Sequence, residues 1–114
     1  MNTISLSELR EKLDRGDDFK LVMTLNEWAF QMSHIPGSIN ISNIEQASDL
    51  LSPDDEIIVY CSNPACPASI FAYHFLRDHG YKNVHRFAGG LLEWENAGYL
   101  LEGESVALAY RNGG

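Results

Sequence analysis

Residues 57–69 read Ile-Ile-Val-Tyr-Cys-Ser-Asn-Pro-Ala-Cys-Pro-Ala-Ser, an apolar run followed by a loop that carries two thiols. The apolar run has no polar interruption, which is typical of a strand buried on both faces of a parallel sheet. Residues 67–79 predict a helix, because proline is tolerated in a first helical turn and Gly80 suits its end. The stretch therefore predicts a buried strand, a loop containing Cys61 and Cys66, and a helix.

The rest of the chain alternates between strand and helix patterns. Ser5 and Glu8 have the spacing of a capping box, and leucines then recur at helical intervals as far as Gly16. A turn of helix is expected to point Trp28 and Phe30 inward. Further strands are expected at 18–25, 38–41 and 83–87, and further helices at 43–51 and 89–98. This alternation predicts an α/β fold, a parallel sheet of about five strands with helices on both faces.

Length and charge limit the classes of function. The 114 residues fit one domain, with a core at about 3–103 and a C-terminal tail at 104–114. The net charge of −8 argues against nucleic acid or an anionic membrane as a partner, because both need a positive surface. The first residues lack the apolar segment of a secretory signal, and no run approaches the ~20 apolar residues of a membrane span. We therefore expect a cytoplasmic protein.

Cys61 has the position of a nucleophile. Open parallel sheets bind ligands past the carboxyl ends of their strands, which is where Cys61 lies. The loop to the next helix must curl, so its amides can point at the sulfur, and the helix N-terminus adds partial positive charge. Both effects favour the thiolate and predict a lowered pKa for Cys61. A small buried cysteine is the alternative, but the strand-end position and the two loop prolines favour chemistry.

Three elements occur in the order and spacing of a known family. They are His-Ile-Pro-Gly-Ser-Ile-Asn-Ile at 34–41, Asp-Asp-Glu-Ile-Ile-Val-Tyr-Cys at 54–61 and Phe-Ala-Gly-Gly-Leu-Leu-Glu-Trp at 87–94. Together they resemble rhodanese-like domains, a sulfurtransferase family, over nearly the whole chain. The resemblance implies that Cys61 takes a sulfane sulfur as a persulfide from a small donor or a persulfide-bearing protein. Cys61 then passes that sulfur to a thiol acceptor, and the resemblance implies no cofactor or metal. The loop whose backbone amides are implied to surround the sulfur, the amide cradle, consists of Ser62, Asn63, Pro64, Ala65, Cys66 and Pro67.

The chain also departs from the family pattern. Family members commonly carry Asp-Val-Arg where this chain has Met23–Leu25, and a glycine and a basic residue in the active loop, where this chain has neither. The loop is also about two residues longer than the usual six. Pro67 replaces the arginine of related phosphatases, so phosphate-ester chemistry is disfavoured. Three hypotheses remain: a sulfurtransferase, a thiol–disulfide redox module using Cys61 and Cys66, or a catalytically inactive binding or regulatory domain.

Four further residues are candidates for accessory roles. Cys66 is either a resolving thiol for Cys61 or a structural cysteine at a helix start. Ser69 is expected to cap the helix and can also contact the site. His34, in the Pro-Gly turn, is expected to hold backbone rather than act as an acid or base. Arg86 is the one plausible basic residue at the pocket mouth, unless it pairs with surface carboxylates. The other histidines have no partner at metal-ligand spacing.

Overall fold

The first helix begins and ends where its sequence predicts. The structure, a computed structural model, describes residues 1–106. Helix α1 spans Leu6–Arg15, and the Ser5 and Glu8 side chains form the predicted capping box. Gly16 ends the helix with a left-handed φ of 71°. The local signals alone therefore place this element correctly.

A parallel sheet forms the centre of the molecule. Its strands are β1 (Lys20–Met23), β2 (Ile39–Asn40), β3 (Glu56–Tyr60) and β4 (Asn83–Phe87), in the order β2-β1-β3-β4. All three strand pairs are parallel, so the predicted α/β class is confirmed. Strand β3 pairs on both edges, which explains why its sequence is apolar throughout.

The sheet has four strands within residues 1–106, one fewer than the approximate prediction. The N-terminal segment contributes only an isolated bridge, from Thr3 to Arg86. It cannot extend into a strand because Ser5, two residues later, already caps helix α1.

Helices cover both faces of the sheet. Helices α2 (Glu27–Met32), α3 (Pro67–Asp78) and α4 (Gly90–Asn96) lie at or near their predicted positions. The helix expected at 43–51 is instead a 3-10 helix, Ile44–Asp49. Its two buried residues, Ile44 and Ala47, are three apart, and that spacing matches the three-residue turn of a 3-10 helix.

Each face of the sheet carries its own apolar cluster. Alternate residues of a strand point to opposite faces, so Ile57 and Val59 join one cluster while Ile58 and Tyr60 join the other. The first cluster packs under α3 and the 3-10 helix. The second includes Leu9 of α1 and Trp94 of α4. This two-sided packing buries β3 and directs its carboxyl end toward a loop covered by helices.

The prediction that Trp28 and Phe30 both point inward was wrong for Trp28. Its side chain is 69% exposed, whereas Phe30 packs against the second cluster and stacks on His34. Residues two apart on a helix point to nearly opposite sides, so α2 can direct only one of them inward.

The chain after α4 remains attached to the fold through residue 105. Glu102 bridges His34, and the Ser105 hydroxyl donates to the Met32 carbonyl at 2.6 Å. Residues 107–114, the larger part of the expected tail, lie outside the described residues. Within 1–106, no helix has the length and apolar character needed to cross a bilayer.

The hydroxyl of Tyr60 generates a testable pH dependence. It accepts from the Ile35 amide at 3.1 Å and contacts the Ser38 hydroxyl at 2.9 Å. Burial raises the pKa of Tyr60 to about 12 from 10.0. The neutral form is therefore favoured in the folded state, so this stabilisation is complete below pH 10 and is lost as pH rises toward 12.

We expect the free energy of unfolding to fall by about 3 kcal/mol across that range through Tyr60 alone. Tyr60→Phe should cost about 1–3 kcal/mol at neutral pH, because the Ile35 amide loses its partner, and should flatten the alkaline loss. Denaturant titrations at several pH values measure both effects, with Tyr99→Phe as the control. An unchanged alkaline slope in Tyr60→Phe would contradict the assignment.

Candidate active site

The two thiols lie together at the carboxyl end of the central strand. Cys61 directly follows β3 and is 1% exposed, while Cys66, five residues later, is half-buried. Their Cα atoms are 6.3 Å apart and their sulfurs are bonded as a disulfide. The loop therefore curls enough to bring both cysteines into one site, and in this oxidised form Cys66 is the outer residue of the pair.

The start of the loop is held by helix α4. The amide of Leu91 donates to the Cys61 carbonyl at 3.0 Å, and the amide of Leu92 donates to the Ser62 carbonyl at 2.9 Å. Gly90 has a φ of 63°, and a Cβ there would overlap the Cys61 carbonyl oxygen. The second glycine of the Gly-Gly pair is thus required for α4 to approach the backbone of Cys61.

The loop interior uses some of the amides expected to form the cradle. The Cys66 amide donates to the Asn63 carbonyl at 3.2 Å, and the Ala65 amide donates to the Asn63 side-chain oxygen at 2.9 Å. Pro64 and Pro67 have no N–H. Within the described residues, only Ser62 and Asn63 of the loop have amides without a protein acceptor. The cradle predicted for residues 62–67 is therefore smaller than expected, because Asn63 folds the loop onto itself.

Helix α3 begins at the second thiol. Cys66 is its N-cap residue, Pro67 opens its first turn, and no side chain caps its amides. The partial positive charge of the helix N-terminus is consequently directed at Cys66. The sequence analysis assigned this charge to Cys61, so the structure extends the same electrostatic effect to the other cysteine of the pair.

Arg86 lies beneath the loop and not at an open pocket mouth. Its side chain is 6% exposed, and its Nε donates to the Ser69 hydroxyl at 2.8 Å. Its Nη2 donates to the Pro64 carbonyl at 3.1 Å. The alternative of pairing with surface carboxylates was also wrong, since no ion pair in the described chain includes Arg86.

Ser69 is almost fully buried, at 1% exposure, in the first turn of α3. It does not cap the helix, since the capping position belongs to Cys66 and carries no side-chain bond. The Ser69 hydroxyl accepts from Arg86, because a guanidinium can only donate. Its own proton is therefore available for a further acceptor.

His34 connects three segments of backbone, as its position in the turn predicts. Its Nδ1 lies 2.7 Å from the Phe30 carbonyl, and its amide donates to the Glu102 carbonyl at 2.8 Å. The remaining histidines form no cluster with acids or thiols, and residues 1–106 contain no group of three or more potential metal ligands.

A small cavity of about 190 Å³ lies between the first turns of α3 and the ends of β1 and β2. Thr24, Glu45, Ala68 and Phe71 are among its lining residues, and no lysine or arginine lines it. Thr24 also donates through its hydroxyl to the Tyr60 carbonyl at 3.1 Å. This residue occupies the aligned position of the missing Asp-Val-Arg triplet, and the sequence analysis assigned it no role.

Sequence comparison identifies the family of this fold. A model of the family described as the rhodanese-like domain matches residues 5–97. The chain belongs to the rhodanese-like domain family. The resemblance drawn from the three sequence elements is thereby confirmed, and so is the general character of the fold.

Individual relatives agree with this assignment. Thiosulfate sulfurtransferase GlpE of Pseudoalteromonas translucida is 30% identical over 82% of this chain and 89% of its own length. The rhodanese-like domain of the Anabaena protein Alr3790 has a TM-score of 0.83 at 22% identity, covering 94% of this chain and 83% of that domain.

A third relative is a larger protein. The HTH-type transcriptional regulator Rv0324 of Mycobacterium tuberculosis is 35% identical over 85% of this chain. The matched region is 43% of the regulator, so the chain spans less than half the length of that relative.

Two glycine substitutions test whether α4 controls the thiol loop. Gly16→Ala strains a left-handed residue in open space and should cost about 1 kcal/mol. Gly90→Ala has the same strain plus overlap with the Cys61 carbonyl, and should cost roughly 1–3 kcal/mol more. On a Cys66→Ser background, the alkylation rate of Cys61 should change in Gly90→Ala and stay constant in Gly16→Ala. Equal stability losses and equal rates would show that α4 does not control the loop.

Proposed function

We propose that this protein is a sulfurtransferase or sulfane-sulfur carrier that forms a persulfide on Cys61. The observation that carries the proposal is the placement of Cys61 directly past the central strand of a rhodanese-like domain, with its carbonyl held by α4. A relative named thiosulfate sulfurtransferase, 30% identical over most of both chains, supports the same class of reaction.

The proposed loading step is a displacement at sulfur. The Cys61 thiolate attacks the outer sulfur of a donor R–S–SH, the bond between the two donor sulfurs breaks, and R–S⁻ leaves with its electron pair. The product is Cys61–S–SH. An acceptor thiolate then attacks the outer sulfur, the Cys61 thiolate leaves, and a persulfide forms on the acceptor.

The disulfide form cannot enter this cycle, because its Cys61 sulfur is not a free thiolate. Cys61 is bonded and 1% exposed, so a dithiol reductant must first supply two electrons and two protons. Cys66 can also remove the sulfur from Cys61 directly. Its thiolate attacks the inner sulfur of Cys61–S–SH, hydrosulfide leaves, and the Cys61–Cys66 disulfide forms. A cytoplasmic location, where thiols are kept reduced, is part of the proposal.

Charge favours a persulfide over thiosulfate as donor. The cavity beside α3 has no basic lining, and the chain carries a net charge of −8. Arg10, Lys12 and Arg15 all lie on α1 and are paired with carboxylates. Thiosulfate is a dianion, and the acidic protein provides little electrostatic attraction for it. An uncharged or weakly charged persulfide is not repelled.

The direct test is intact-mass analysis of the reduced protein after incubation with persulfide donors, followed by peptide mapping. Wild type should gain one sulfur atom on Cys61, and Cys61→Ser should gain none. Cys66→Ser should also load, and in the presence of dithiol acceptors it should lose the sulfur more slowly than wild type, because it cannot form the Cys61–Cys66 disulfide with release of hydrosulfide. The oxidised protein should not load until it is reduced.

Three outcomes would contradict this mechanism. Sulfur mapped to Cys66, or no sulfur on any form, would remove Cys61 as the carrier. If Cys66→Ser matches wild type in loading and in discharge, Cys66 is structural and the protein is a one-cysteine carrier.

The donor preference predicts weak thiosulfate activity. We expect a KM for thiosulfate above about 1 mM, the upper end of typical values. Added salt should leave the rate unchanged or raise it, because it screens repulsion between like charges. Steady-state transfer from thiosulfate to cyanide at several ionic strengths measures both. Robust activity that falls steeply with salt would show attraction by a cationic site and contradict the prediction.

A thiol–disulfide redox module is the second candidate, and the bonded Cys61–Cys66 pair is the observation that supports it. Both candidates use the same two thiols, but only the carrier holds a sulfane sulfur. A protein that cycles between dithiol and disulfide with protein substrates, yet never gains sulfur mass, would establish the second candidate in place of the first.

A further inference from the structure

Arg86 joins the thiol loop to the rest of the fold at several points. Its side chain bonds to Pro64 in the loop and to Ser69 in helix α3. Its backbone accepts from the Ile4 amide at 3.1 Å and donates to the Asn2 carbonyl at 2.9 Å. Arg86 is thus held from both sides, and its guanidinium has little freedom to move toward solvent.

This buried cation has only neutral partners in the described chain. Its side-chain acceptors are one hydroxyl and one carbonyl, and no carboxylate lies within ion-pair distance among residues 1–106. A buried charge without an opposite charge is costly. The hydrogen bonds reduce that cost, but no carboxylate of residues 1–106 compensates the net positive charge.

The loop above Arg86 can supply the missing negative charge. The Pro64 carbonyl that Arg86 binds lies three residues after Cys61 and two before Cys66. In the disulfide both sulfurs are neutral, whereas reduction allows a thiolate to form. We propose that Arg86 is a positioning residue whose buried positive charge stabilises the reduced, anionic state of the Cys61–Cys66 pair.

The consequence is an effect on the thiol–disulfide equilibrium. In that reaction two glutathione thiols reduce the Cys61–Cys66 disulfide, giving two protein thiols and one glutathione disulfide. The charge favours the reduced protein, the form that accepts sulfur under the proposed function, on which this inference rests. The equilibrium itself involves no sulfur donor, so a failure to load sulfur is distinguishable from a failure of the Arg86 effect.

Removing Arg86 has two effects, loss of its charge and loss of its hydrogen bond to the loop. These effects shift the thiol–disulfide equilibrium in opposite directions. Loss of the charge destabilises the thiolate and shifts the equilibrium toward the disulfide. Loss of the bond to Pro64 alone loosens the loop, which disfavours ring closure and shifts the equilibrium toward the thiols. The sign of the shift therefore identifies which effect dominates.

The full chain is equilibrated in glutathione redox buffers, quenched and alkylated. Mass spectrometry then measures the fractions of the disulfide and dithiol forms. Arg86→Met should shift the equilibrium toward the disulfide by about tenfold, which corresponds to about 30 mV. Arg86→Lys keeps the charge and should stay near the wild-type value. Arg77→Met is the matched control, because it removes an exposed arginine from the end of α3 and should cause no shift.

Three results would overturn the proposal. They are an unchanged equilibrium in Arg86→Met, a shift toward the thiols, or a shift in Arg86→Lys as large as that in Arg86→Met. If Arg86→Met does not fold, Arg86→Gln replaces it, since its amide nitrogen stands where the Arg86 Nε donates to Ser69 and the side chain carries no charge. The same tenfold shift toward the disulfide is then expected, and its absence contradicts the role of the charge.

Discussion

The carbonyl of Cys61 accepts a hydrogen bond from the Leu91 amide, and the geometry of the candidate site depends on this contact. It connects the end of the central strand to the start of α4, and it exists because Gly90 leaves room for the two backbones to meet. The Leu92 amide extends the contact to Ser62, so the first two loop residues are fixed before the loop begins to curl. These backbone bonds fix the Cys61 and Ser62 carbonyls relative to α4.

Most of the fold follows from local patterns. The capping box of α1, the apolar strand at 57–60 and the proline that opens α3 each place an element correctly. The predictions that fail are those in which the outcome depends on neighbours in space. The loop amides were expected to face the sulfur, although an asparagine before a proline is typical of a turn that binds its own backbone, as Asn63 does. Arg86 was expected at the pocket mouth or in a pair with surface carboxylates, and only the packing of α3 on β4 shows that it is buried.

The position of Cys61 and the charges near it are consistent with the proposed sulfur carrier. The chain belongs to the rhodanese-like domain family, and Cys61 directly follows its central strand. Two positive charges lie near the loop: Arg86 is buried and bonds to the Pro64 carbonyl, and a partial charge at the N-terminus of α3 is directed at Cys66. Arg86 does not line the cavity of about 190 Å³ beside α3, and neither do Cys61 and Cys66. The role proposed for Arg86, stabilising a thiolate in the loop, is consistent with the persulfide donor of the proposed function.

The central claim is that Cys61 carries the transferred sulfur within a loop held by α4. The most direct test is a crystal structure of the reduced protein after exposure to a persulfide donor. The account predicts one additional sulfur bonded to the Sγ of Cys61, an unbonded Cys66, and an intact hydrogen bond between the Leu91 amide and the Cys61 carbonyl. The account would be contradicted if the additional sulfur were bonded to Cys66. It would also be contradicted if Cys61 stayed unmodified although the donor had reached the site.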